Sequence, residues 1–147
     1  MVHVKKIRVH WDDTDKAGIV HHSNFFRWFE EGEVELIRDS GKARKTLTQE
    51  SGTANPRVSV RCNYFSPAYE DDSIEVRSSV LKITQKTYHL HHEIHRPSDG
   101  KHLATGEVIA CCVKRQEDGT YRSFPLPQEM VAALKRYLVP PEAEGAS

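Results

Sequence analysis

The strongest constraint on this chain lies between residues 24 and 40, where Phe25, Phe29, Gly32 and Leu36 recur at spacings of four, three and four along one helical face. Ser23 or Asn24 can cap the start of such a helix. Gly41 stands where a left-handed C-terminal cap is wanted. Glu30, Glu31, Glu33 and Glu35 take much of the opposite side. A glycine within an apolar stripe lowers helix propensity by about 1 kcal/mol relative to alanine. Its presence therefore predicts a sheet so close that no side chain fits between.

The rest of the chain can supply that sheet. Ile7, Val9 and Trp11 alternate over residues 5 to 11, a short strand running into the polar segment Asp12 to Gly18. After the helix and a polar connection, Val58, Val60, Cys62 and Tyr64 alternate with Arg57, Ser59, Arg61 and Asn63, and Pro67 ends the strand. Further strand patterns cover 73 to 83, 87 to 96 and 102 to 115, parted by Gln85-Lys86 and by Pro97-Ser-Asp-Gly100. Met130, Ala133, Leu134 and Tyr137 fall at helical spacing in a short covering helix, Pro127 to Tyr137. A strand, a long helix and four strands predict an α+β domain, one antiparallel sheet curled around one buried helix. A single helix covers one face, so the other face or an edge is expected to meet a second subunit. The domain is expected over residues 1–138, with 139–147 a disordered tail.

Composition narrows the class. At 147 residues the chain fits one core. Its 21 basic and 21 acidic residues cancel and are scattered, which argues against nucleic acid or an anionic membrane as partner. There is no apolar run near the roughly 18 residues of a membrane span and no signal-peptide core, so a cytoplasmic protein without membrane insertion is expected. Cys62, Cys111 and Cys112 cannot all pair, and the adjacent two would face opposite sides of a strand. They read as reduced, structural thiols.

The segment that carries chemistry is Asp13-Thr-Asp-Lys-Ala-Gly-Ile-Val-His-His-Ser-Asn-Phe-Phe-Arg-Trp-Phe-Glu30. It sets carboxylates just before the N-terminus of the buried helix. Free backbone N–H groups there can stabilise the oxygen of a polarised carbonyl. A nearby carboxylate can attack the carbonyl carbon or activate water against it. On spacing alone, such aspartates are more often turn and capping residues. Thr14 and Gly18 need do no more than shape the loop. The run His89-Leu-His-His-Glu-Ile-His95 suggests a metal, yet alternate residues along one strand lie about 6–7 Å apart. A polar or interface strand face is the expected reading, with no metal site.

The segment follows the pattern D-x-D-x-x-G-[IV]-V-x-[HY]-x-N-[YF]-x-R-[WF], and Arg61-Cys-Asn-Tyr-Phe-Ser-Pro-Ala-Tyr-Glu-Asp-Asp72 makes a second match. On these residues the chain resembles the hydroxybenzoyl-coenzyme A thioesterase-like group of hotdog proteins, which includes the thioesterase associated with the Tol-Pal cluster. The resemblance spans about residues 5 to 137. It implies a hotdog fold and hydrolysis of an aromatic or short- to medium-chain acyl-coenzyme A thioester to free acid and thiol, without cofactor.

The same resemblance makes Asp15 the catalytic nucleophile or general base, with Asp13 and Asn24 in support. It gives His22 a backbone N–H directed at the thioester oxygen, its imidazole being optional. Glu30 would meet a polar acyl terminus. Lys86, the one charge in the turn Thr84–Thr87, would contact the nucleotide phosphates; relatives are more basic there. A homodimer, paired into a homotetramer, with active sites at the subunit interface, is also implied. Competing readings are a thioesterase for acyl groups on a carrier protein, a hydratase, whose usual Asp and His pair is not evident, and a non-catalytic acyl-coenzyme A sensor.

Overall fold

The computed structural model describes residues 1–140. Its main sheet has five antiparallel strands in the order β1 (His3–Arg8), β4 (Ser73–Ile83), β5 (Thr87–Arg96), β6 (Lys101–Cys111) and β3 (Arg57–Tyr64). The long helix α1 (Ser23–Arg38) lies in its concave face, the hotdog arrangement expected from the sequence. The strand ranges 73–83 and 87–96 are reproduced to the residue. The first strand ends early, because a 3-10 turn takes Trp11–Asp13 and leaves Trp11 exposed.

The expected strand 102–115 is two strands. Cys112 breaks it: its amide bonds to the Lys86 carbonyl at 2.7 Å and its carbonyl accepts from Phe124 at 2.9 Å. Beyond it, β7 (Val113–Arg115) joins β2 (Thr53–Ala54) and β8 (Tyr121–Ser123) in a small second sheet. Cys112 is buried and Cys111 partly exposed, and all three cysteines are free.

The stretch read as a polar connection holds a second helix, α2 (Arg44–Ser51). It buries only Leu47, so its sequence carries no apolar stripe. The covering helix is α3 (Gln128–Lys135), which buries Met130, Ala133 and Leu134. Beyond it the Val139 amide still bonds to the Val80 carbonyl at 2.9 Å. The rest of the expected tail, residues 141–147, lies outside the described residues. No described helix is long and apolar enough to cross a membrane.

α1 is seated by two features. At Gly32 a Cβ would lie 2.5 Å from Ser78 Oγ and 2.9 Å from a Val76 methyl, so the backbone approaches β4 as closely as the apolar stripe predicts. Beside it, Phe29 stacks on the buried His92 ring at 5.1 Å. Burial first, then the charges of His91 and Arg57, pull the His92 pKa down to about 3 and keep that ring neutral.

The second feature corrects the helix's polar face. Glu33 is fully buried instead of solvated. The Tyr88 hydroxyl donates to it at 2.6 Å, Arg44 at 2.8 Å, and Arg57 bonds the same carboxylate. The reason is geometric: Glu33 follows Phe29 by one turn and so shares its row on the helix. Two guanidiniums and a hydroxyl satisfy a charge that would otherwise be costly to bury.

Gly41 does take the left-handed conformation, with φ 106°. The expected N-cap does not form: neither Ser23 nor Asn24 caps the helix through its side chain. Asn24 instead reaches back to the preceding loop, as described below.

Gly32→Ala is expected to lower stability by about 1–2 kcal/mol, because contacts of 2.5 and 2.9 Å put overpacking at about 2–3 kcal/mol, against a propensity gain of about 1 kcal/mol. Thermal unfolding checks this; an unchanged or raised Tm would contradict the close approach.

Candidate active site

The loop from Asp12 to His22 links β1 to α1, and Asp13 organises it. One Asp13 carboxylate oxygen accepts from the His10 amide at 2.9 Å and the other from Arg27 at 2.5 Å. Its carbonyl accepts from the His21 amide at 3.0 Å and from the Asn24 side-chain amide at 2.8 Å. The side chain is 8% exposed. Asp13 and Asn24 thus hold the loop against the first turn of α1, which is why Asn24 does not cap the helix.

Asp15 sits at the turn this loop makes. Its amide bonds to the Ile19 carbonyl at 2.9 Å, and its carbonyl accepts from Gly18 at 3.0 Å. Carboxylate oxygen Oδ1 accepts from the Ala17 amide at 2.8 Å. Gly18, at φ 80°, supplies the left-handed residue that closes the turn. The carboxylate is exposed and opens into a pocket of about 360 Å³ lined by Asp15, Ile19, Val20, His22, Phe25 and Tyr64, with Phe65 to Pro67 behind them.

His22 is the residue before α1, and among the described residues its backbone N–H has no acceptor. Its carbonyl accepts from the Tyr64 hydroxyl at 3.0 Å, so β3 fixes the orientation of this peptide. This N–H belongs to the helix end at which the dipole carries roughly half a positive charge. One such donor can lower an acyl-transfer barrier by about 2.7–4 kcal/mol. Asp15 and His22 both line this pocket, and a carboxylate with a helix-terminal amide is a pair that can attack and hold a polarised carbonyl.

The remaining candidates lie elsewhere in the single chain. Glu30 bonds to Arg44 at 3.0 Å and lines a neighbouring groove with Phe26, Phe29, Arg57 and Val60. Lys86 donates to Ser123 at 3.2 Å in the turn between β4 and β5. Neither lines the Asp15 pocket. Tyr64 and Arg27 were not singled out from the sequence, although both lie in the matched motifs; a motif gives positions but not the hydrogen bonds made there.

A five-stranded antiparallel sheet wrapped round one long helix defines a hotdog protein. Residues 9–134 match the Thioesterase-like superfamily, and the chain belongs to that family. It is 27% identical over 135 residues to a putative esterase of Aquifex aeolicus, covering 92% of this chain and 99% of the relative. It is 26% identical to the acyl-CoA thioesterase YbgC of Haemophilus influenzae, over 87% of this chain and 90% of that one. The structure of 4-hydroxybenzoyl CoA thioesterase from Pseudomonas sp. strain CBS-3 superposes with a TM-score of 0.80 at 19% identity, covering 90% and 98% of the two chains, a likeness of fold.

Asp13→Ala removes the acceptor of the His10 amide and of Arg27. It is expected to cost about 1–3 kcal/mol and to speed hydrogen exchange of the amides from residue 10 to 24. Exchange unchanged in that segment would contradict the organising role given to Asp13.

Proposed function

We propose that this protein is an acyl-coenzyme A thioesterase in which Asp15 is the reacting carboxylate and the His22 amide holds the thioester oxygen. The observation that carries the reading is that Asp15, with its exposed carboxylate, and His22, whose N–H has no acceptor among the described residues, line one pocket. The names of the Haemophilus and Aquifex relatives support the same chemistry.

In this reading the thioester carbonyl enters with its oxygen at the His22 N–H. Asp15 either attacks the carbonyl carbon, expelling the thiolate and leaving an anhydride that water opens, or takes a proton from the water that attacks. Both routes consume one water, break the C–S bond, and release a carboxylic acid and coenzyme A thiol. Neither calls on a metal or prosthetic group. Asp13, Asn24 and Arg27 position the loop, and Tyr64 positions the His22 peptide.

The working form is proposed to be a homodimer, paired into a homotetramer. β3 is an edge strand with Val58, Val60 and Tyr64 each more than 40% exposed, and unpaired apolar edges invite strand pairing. Pairing there would extend the groove lined by Glu30 and Phe26 along the subunit boundary, where Glu30 would meet the acyl terminus. It would also let the partner subunit's Lys86 contact the nucleotide phosphates.

Thiol release is the test, followed with benzoyl, hydroxybenzoyl, short-chain and medium-chain coenzyme A thioesters. Wild type is expected to turn over one class, and Asp15→Asn to lose about 10²-fold or more of that rate. Release by neither protein, with both still binding the thioesters, would replace the enzyme by an acyl-coenzyme A sensor.

A further inference from the structure

The outward face of β5 carries His89, His91, Glu93 and His95, and one strand alone spaces them too widely to share an ion. The neighbouring strand changes this. His102 of β6 is the cross-strand partner of His95, and the register shifts between Ile94 and His95. The His95 and His102 rings stack in parallel with centroids 4.4 Å apart. Oε1 of Glu93 lies 3.0 Å from His95 Nε2 and 3.7 Å from His102 Nε2, while Oε2 lies 3.2 Å from His91 Nε2.

We propose that Glu93, His95 and His102 bind one divalent transition-metal ion, with zinc the natural fit. Two imidazoles and a carboxylate are a borderline donor set, and water completes the tetrahedron. The three ligand atoms already lie within 4.8 Å of one another. Tetrahedral zinc separates its ligands by about 3.4 Å, so ring rotations moving each atom by roughly 1 Å close the site. His91 holds the second carboxylate oxygen, the kind of outer partner that orients a ligating carboxylate. His102 Nε2 would exchange its contacts with the Ala104 carbonyl and the Thr105 hydroxyl, both at 2.9 Å, for the metal. Magnesium and calcium, which prefer all-oxygen shells, would not compete.

The site is separate from the thioester chemistry: Phe65, packed on His102 at 5.1 Å, stands between it and the Asp15 pocket. Because its ligands come from two strands and assemble only in the folded chain, a bound ion would clamp β5 to β6 and stabilise the fold.

The experiment is calorimetric titration of the untagged full chain with zinc chloride alone, and with magnesium chloride as control, alongside thermal unfolding. Wild type and His89→Ala are expected to take up one zinc per chain and to melt higher with it, and magnesium to do neither. The double variant His95→Ala/His102→Ala is expected to bind at least about tenfold more weakly and to show no zinc-dependent rise in Tm. Glu93→Gln reads the same site should the double variant not fold. Equal affinity in these variants, meaning zinc on other histidines, or no uptake by wild type, would overturn the proposal.

Discussion

The close approach of α1 to β4 at Gly32 is the constraint on which the rest of the structure depends. With no Cβ between helix and sheet, Phe29 and Glu33 reach the sheet on either side of Gly32. The helix is thereby fixed along its length, and so is the position of its first turn. In the proposed reaction that turn supplies the oxyanion donor through its backbone. A helix-terminal N–H is useful only if its place is fixed, because an oxyanion donor must already lie about 3 Å from the developing charge.

From that fixed end the loop can be short and still precise in its placement of Asp15. Asp13 spends both carboxylate oxygens and its carbonyl on the loop and the first turn of α1. Among the described residues the Asp15 carboxylate accepts one hydrogen bond, from the Ala17 amide. The two aspartates, one residue apart, thus divide the work: the buried one builds the loop and the exposed one faces the pocket. The wall opposite is Tyr64 and Phe65, at the end of an exposed edge strand. A pocket with one wall on an unpaired edge is what a subunit boundary would complete.

The fold was largely legible because its signals are periodic. Strand 87–96 alternates throughout and strand 73–83 does so as far as Ser78, and the Gly32 stripe announces both the helix and the sheet beneath it. Readings failed where tertiary context overrode local pattern. α2 buries a single leucine, and Glu33 looked solvent-facing because its partners Arg44, Arg57 and Tyr88 come from three other elements. Cys112 ends a strand through bonds to distant residues. His102 stacks on His95 from across the ladder, a neighbour that spacing along one strand does not show. At the site, the motif led to Asp13, Asp15, His22 and Asn24, which the loop brings together. Glu30 and Lys86 do not join them within one chain.

The central claim is that the thioester oxygen docks on the His22 amide beside residue 15. The most direct measurement is a crystal structure of the Asp15→Asn variant with a non-hydrolysable ketone analogue of an acyl-coenzyme A. The account predicts the analogue's carbonyl oxygen about 3 Å from the His22 nitrogen, with the residue 15 side chain against the carbonyl carbon. A carbonyl bound away from the helix N-terminus, with the His22 amide bonded to solvent, would contradict it.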